Sequence, residues 1–241
     1  MIGAFLNALG ILLGGLYGLA TRHPVAAQTQ NFFKSALGCF TIFLGMRLVY
    51  ENVAATFVAS LKQLFLASVA ILIGYWVGRI LHLQHLSNRL GRHAGRLIDQ
   101  AQKNPPGSPA DGLLSASILF CAAPLGILGA VTDGTSGFFF LLGLKAVMDG
   151  MAMTTFVRLF RWPAALSAIP VFGFLYGITV AVHLWALPWL VAHGGLDHSV
   201  NIAAGFLACV VALVIFEVRR IELANYLPAL VAGPVLTWLL T

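Results

Sequence analysis

Two residues raise the question of chemistry at once. Lys145 and Asp149 stand four apart inside an apolar run that extends from Phe138 to Val157. On a helix this spacing places both on one face. Each charge at a bilayer centre costs roughly 2.5–3.5 kcal/mol on insertion scales, so intramembrane charges face a protein interior or a water-filled cavity. Pairing lowers that cost without removing the desolvation penalty. As chemistry, Asp149 is a candidate proton or cation site. Lys145 is its charge partner, or a ligand for an anionic group. The plain alternative is an ion pair that locks one helix to its neighbours. Gly150 follows Asp149; it loosens the helix there, so backbone groups could also line a site.

Supporting candidates lie upstream. Asp133-Gly134-Thr135-Ser136-Gly137 separates two apolar segments. One reading is a tight outer turn in which Thr135 or Ser136 caps the next helix. The other is a break between re-entrant half-helices, permitted by Pro124, Gly126 and Gly129, with free N–H groups pointing into the membrane. Asp133 is a candidate ligand in either. Asn7 is a further polar candidate, or simply an interhelical hydrogen bond worth roughly 1 kcal/mol. Glu217 beside Arg219 and Arg220 reads as an interfacial ion pair.

Other chemistry is poorly served. His82 with His85, and His193 with Asp197 and His198, supply no complete metal-ligand set, so no metal and no cofactor is expected. His183 reads as a packed, hydrogen-bonded histidine. Cys39, Cys121 and Cys209 lie in separate apolar segments and read as small core residues. No phosphate loop, dinucleotide fingerprint, nucleophile elbow or zinc-protease motif occurs, so an enzyme is not expected.

The elements that must position these residues are transmembrane helices. Hydrophobic residues make up 59% of the chain and charged residues 9%, with a mean hydropathy of +0.90. A soluble domain carries about 25% charged residues. The fold class is therefore all-α, a polytopic transmembrane helix bundle, read as one domain over 1–241. A span needs about 20 apolar residues. Eight candidates result: 2–20, 33–50, 62–81, 111–131, 138–157, 164–187, 199–216 and 226–240. No basic stretch precedes the first, which reads as a retained helix rather than a cleaved signal.

Residues 82–110 form a basic amphipathic linker. Leu83, Leu86, Leu90, Ala94, Leu97, Ile98 and Ala101 recur at helical spacing, with Arg89, Arg92 and Arg96 largely on other faces. Such a helix lies at a membrane surface; Asn104-Pro105-Pro106-Gly107 ends it. Of 14 Lys and Arg, 11 fall in or beside the odd-numbered loops: Arg22, Lys34, Arg79, Arg89, Arg92, Arg96, Lys103, Arg158, Arg161, Arg219 and Arg220. Only Arg47 and Lys62 fall on the opposite side. Positive loops stay in the cytoplasm, which places both termini outside.

Glycines four apart recur at Gly10/Gly14/Gly18, Gly74/Gly78 and Gly173/Gly177. They predict close helix packing, with a glycine-lined solute path as the other reading. Ala36-Leu37-Gly38-Cys39-Phe40 and Ala203-Ala204-Gly205-Phe206-Leu207 are faintly alike. If segments one to three correspond to six to eight, the two triplets are inverted repeats, a transporter architecture with its site near the midplane.

Four stretches carry a family likeness: Asn7-Ala-Leu-Gly-Ile-Leu-Leu-Gly, Gly129-Ala-Val-Thr-Asp133-Gly134, Lys145-Ala-Val-Met-Asp149-Gly150 and Ser167-Ala-Ile-Pro170-Val. On these the chain resembles, over essentially its full length, the bacterial membrane family of unknown function that includes YqgA and YdfK. The paired Asp-Gly elements are the most specific part. The resemblance implies a bacterial inner-membrane protein of several helices and brings no substrate or residue roles.

The expectation is a small-solute or ion transporter, proton- or sodium-coupled, with a midplane site at Lys145 and Asp149. Asp133, Thr135, Ser136 and Asn7 would support it. An ion channel, and a scaffold or sensor that acts through the basic surface helix, are the alternatives. The implied partners are the lipid bilayer and a small solute or ion. A second copy of the chain is left open; nucleic acid is not expected.

Overall fold

The computed structural model describes residues 1–21, 26–103, 107–218 and 221–240. Arg22, Arg219, Arg220 and the Asn104-Pro105-Pro106 stop signal lie outside the described residues. The helices are α1 (Ile2–Ala20), α2 (Ala27–Asn52), α3 (Phe57–Ile80), α4 (Leu83–Lys103), α5 (Pro109–Ala122), α6 (Pro124–Ser136), α7 (Phe140–Phe160), α8 (Ala168–Ala181), α9 (Leu187–Ala192), α10 (Asp197–Ile215) and α11 (Ala229–Leu240). Among the described residues, seven stretches are long and apolar enough to cross a membrane. The bent pair α5–α6 makes an eighth when counted as one broken span.

The break has a local cause. Proline donates no N–H, and it disfavours helical backbone in the residue before it. Ala123, just before Pro124, is accordingly extended (ψ 119°), and α5 and α6 meet at 59°. The two halves follow α7 from end to end. Gly112 of α5 packs on Phe160, Gly126 of α6 on Lys145, and Gly129 on Leu142.

A second proline shapes the sixth span. It runs from a 3₁₀ turn at Trp162–Ser167 through α8, a π turn at Val182–Ala186, and α9. Pro188 cannot donate to the carbonyl of Leu184. A π turn absorbs such an interruption without ending the helix.

Backbones approach closely where glycines face each other. Along α1, a side-chain carbon at Gly10 would meet the carbonyl of Ala146, and one at Gly14 the carbonyl of Gly150. α2 and α10 touch reciprocally: a Cβ on Gly45 would lie 2.6 Å from the Gly205 oxygen, and one on Gly205 2.6 Å from the Gly45 oxygen. Gly74 and Gly78 pack on Ala229 and Asn225. The packing reading therefore holds for the first and third segments. It fails for Gly173 and Gly177, which meet nothing within 4 Å on an exposed face of α8.

The three helices α1, α2 and α3 each pack on α8, α10 and α11 respectively. The path of the chain makes each pair antiparallel. Opposite orientation of corresponding helices is what an inverted repeat requires; α1, however, packs more extensively on α7 than on α8. The glycine contact between α2 and α10 joins Gly45, not Gly38, to Gly205; Gly38 instead packs on the ring of Phe216.

Two levels of tryptophan mark the bilayer. Trp185, Trp189 and Trp238 are exposed at the end of the bundle near Met1, and Trp76 and Trp162 at the other. Tryptophan is enriched at membrane–water interfaces. The second end carries Lys34, Arg79, Arg89, Arg92, Arg96, Lys103, Arg158 and Arg161 and is termed the basic face; the Met1 face carries Arg47 and Lys62. The protein is a multi-pass membrane protein whose outward helix faces contact lipid.

Cysteine placement differs in part from expectation. Cys39 is exposed, and Cys121 and Cys209 are half-buried. Cys121 sits at the end of α5, whereas Cys209 packs into the α2–α10 seam beside Gly45, with its sulfur 3.9 Å from the Ile42 carbonyl, as a small core residue would.

Candidate functional site

The parallel packing of α1 on α7 builds the centre of the site. Glycines at 10 and 14 let α1 come close enough for Asn7 to reach α7. Asn7 Nδ2 donates to Asp149 Oδ2 at 2.9 Å. Lys145 Nζ donates to the same oxygen in an ion pair. Lys145 is 1% exposed, Asp149 7% and Asn7 0%.

The third wall is the broken helix. The stem of Lys145 passes Gly126, where a Cβ would stand 2.8 Å from Lys145 Cε. Its ammonium lies 5.6 Å from the centre of the Phe120 ring, a cation–π distance. Proline at 124 also leaves the carbonyl four residues earlier, that of Phe120, without its helical donor. The pair thus sits at a place where backbone regularity is lost.

One acceptor in this centre is orphaned. Asn7 Oδ1 is buried and has no hydrogen-bond partner. A buried acceptor left unpaired costs about 1–3 kcal/mol. Only one oxygen of Asp149 is engaged by Lys145 and Asn7. The centre therefore offers carboxylate and carboxamide oxygens to a proton or a small cation. Clefts of about 220 and 710 Å³ flank α7, lined by Met151 and Thr154 among others; Lys145, Asp149 and Asn7 line neither. The centre is closed in this conformation.

Asp133 stands elsewhere. Its Oδ1 lies 2.6 Å from the Met1 amino group and its Oδ2 accepts from the Gly3 N–H at 3.1 Å. It occupies the N-terminus of α1, where negative charge is favoured. Thr135 belongs to a third cluster. Its hydroxyl bonds Asn201 Oδ1 at 2.8 Å, and Asn201 Nδ2 donates to Asn52 Oδ1 at 3.0 Å. His198 Nδ1 lies 3.1 Å from that Asn52 oxygen. Ser136 is exposed, and its hydroxyl donates to the Thr132 carbonyl at 3.1 Å.

The tight-turn reading of 133–137 needs correction. Residues 133–136 are the last turn of α6, which Gly137 closes in a left-handed conformation (φ 71°). Thr135 and Ser136 cap nothing: α7 begins after Phe139 without a side-chain cap. Their hydroxyls turn back to carbonyls of their own helix, as Ser and Thr do inside helices.

Other placements are simpler. Glu217, just past the end of α10, pairs at 2.6 Å with Lys34 on the adjoining helix α2, a partner that local reading missed. His183 Nδ1 lies 3.3 Å from the Gly134 carbonyl, in the π turn. Among the described residues no group of three or more His, Cys, Asp and Glu could hold a metal ion. The sequence reading also missed Phe120, Asn52 and Asn201. Asn201 was findable, as a lone amide within the apolar run 199–216.

The comparisons agree with one another. A family model described as a protein of unknown function, DUF554, matches residues 2–238, and the chain belongs to that family. It is 24% identical over 241 residues to the uncharacterized membrane protein YdfK of Bacillus subtilis (strain 168), covering 100% of this chain and 97% of the relative. It is 27% identical over 235 residues to the uncharacterized protein YqgA of Escherichia coli (strain K12), covering 95% and 93%. No solved structure matches.

Proposed function

We propose that the protein is a carrier for a small solute or ion in the bacterial cytoplasmic membrane, coupled to protons or sodium, with its exchange site at Asp149, Lys145 and Asn7. The observation that carries this reading is the orphaned Asn7 oxygen beside a buried carboxylate at a broken helix. A pair built only to lock helices has no need of an unsatisfied acceptor. A coupling cation does, because hard cations and protons take oxygen donors.

The roles follow from charge. Asp149 holds the proton or cation, with Asn7 Oδ1 as second donor. Lys145 neutralises Asp149 when no cation is bound. When one binds, the ammonium is released and becomes available to an anionic group. Gly126, lacking a side chain, leaves the space that the Lys145 stem occupies. Asp133 and Thr135 support this reading indirectly: the first fixes the start of α1, the second ties α6 to α10 and α2. Access to the closed centre requires α1 or the α5–α6 pair to shift against α7. The basic face lies in the cytoplasm and both termini outside, as the charge asymmetry favours.

Flux in proteoliposomes tests the reading. Wild type and Asp149→Asn, both purified and shown to be folded, are challenged with pools of ions, organic acids and amino acids under pH and sodium gradients. Saturable, gradient-dependent flux that the variant loses is the expected result. Undiminished flux in the variant, or silence of folded wild type across all pools, overturns it. Silence would favour the scaffold or sensor.

A further inference from the structure

A cavity of about 480 Å³ lies between α4, the α5–α6 bend, Phe174 of α8 and the turn at 223–227. Leu83, Leu86 and Leu90 form its α4 wall, and Pro124 and Ile127 lie at the bend. Lys145, Asp149 and Asn7 do not line it, so it is separate from the exchange site. Its size falls within the range of about 300–1,000 Å³ usual for small-molecule sites. Its lining is almost wholly apolar, which suits a hydrocarbon chain and disfavours a polar solute.

The chemistry outside the cavity narrows the occupant. Leu86, Leu90 and Phe174 are exposed at its margin. Arg89 adjoins Leu90 in sequence and stands three residues from Leu86, so it rises at the edge of the helix face that roofs the cavity. Arg92 and Arg96 continue the same side of α4, and His85 and His93 flank them. All three arginines are exposed, and none takes part in an ion pair among the described residues. The only acid on α4 is Asp99. A basic cluster on an interfacial helix attracts anionic headgroups of the cytoplasmic leaflet.

We infer that this cavity is a specific site for an anionic phospholipid, with one acyl chain under α4 and the headgroup phosphate on Arg89, Arg92 and Arg96. The chain lies against Pro124, so an occupied cavity wedges the bend that also borders Lys145. Apolar burial holds the chain, and the arginines select the headgroup. The site does not depend on what, if anything, the protein transports.

Native mass spectrometry of the full-length protein tests this, with phosphatidylglycerol and phosphatidylcholine of matched chains. Wild type should retain phosphatidylglycerol in preference. The Arg89→Gln/Arg92→Gln/Arg96→Gln variant should lose that preference by at least about ten-fold, since each basic residue at such a surface adds its own attraction. Ser87→Phe fills the cavity from its α4 wall and should reduce retention of both lipids, whereas Ser87→Ala should not. Equal retention of the two lipids by wild type overturns the assignment. So does unchanged retention in a folded Ser87→Phe variant, or a dimer that excludes lipid from the cavity. If Ser87→Phe does not fold, the arginine variant decides, because its changes are on an exposed face: preference lost supports the site and preference kept overturns it.

Discussion

A single oxygen of Asp149 accepts from both Lys145 and Asn7 while Asn7 Oδ1 accepts from nothing. The energetics of such a pair are asymmetric. Removing one partner of a buried pair costs about 3–5 kcal/mol, whereas replacing both with apolar residues of similar volume is often neutral or stabilising. We therefore expect Lys145→Met/Asp149→Leu to melt at or above wild type, and Asp149→Leu alone well below it, in a detergent thermal-shift assay. Asn7→Leu should cost little stability, because it removes one hydrogen bond and one unpaired acceptor together. At the basic face, the hydrogen bond from Lys34 holds the Glu217 carboxyl below its usual range. A carboxyl depressed on folding contributes above its unfolded pKa and loses that contribution as pH falls through the folded value. Lys34→Ala should return Glu217 to the ordinary carboxylate range, read from the infrared carboxylate band across acidic pH. The pair is exposed, so the melting temperature should move little.

Helices place these residues, and two kinds of small residue decide how. Gly14→Val drives a side chain into the Gly150 carbonyl and should cost about 1–3 kcal/mol as overpacking. Gly177→Ala meets open space and should stay within about 0.5 kcal/mol of wild type. The same thermal-shift assay separates the two. The seven apolar spans and the broken eighth, the amphipathic α4 and the pairing of Lys145 with Asp149 were legible in the sequence, because apolar length and an i,i+4 charge pair are local signals. The proline break at 124 was legible as a permission. What it faces was not, since the partner on α7 lies across the bundle. Asp133 and Thr135 were found in the polar stretch between two apolar segments but assigned to one cluster with Asp149. Sequence proximity on α6 hides that they look toward different neighbours, α1 for Asp133 and α10 for Thr135.

At the scale of the whole molecule, antiparallel pairing of α1 with α8, α2 with α10 and α3 with α11 surrounds the broken helix and α7. The basic residues gather at one end. In a cysteine-free background, His193→Cys should react with an impermeant maleimide on intact cells, and His93→Cys only after permeabilisation. Labelling of both from one side would contradict the eight-span path. The central claim is that the Lys145–Asp149 centre exchanges cations across the membrane rather than merely binding helices together. Charge movement on a supported membrane tests it most directly, with sodium or pH steps applied to wild type and to the stable Lys145→Met/Asp149→Leu variant. A transient current in wild type that vanishes in the variant, at equal melting temperature, is the predicted result. The same current in both proteins would contradict the account.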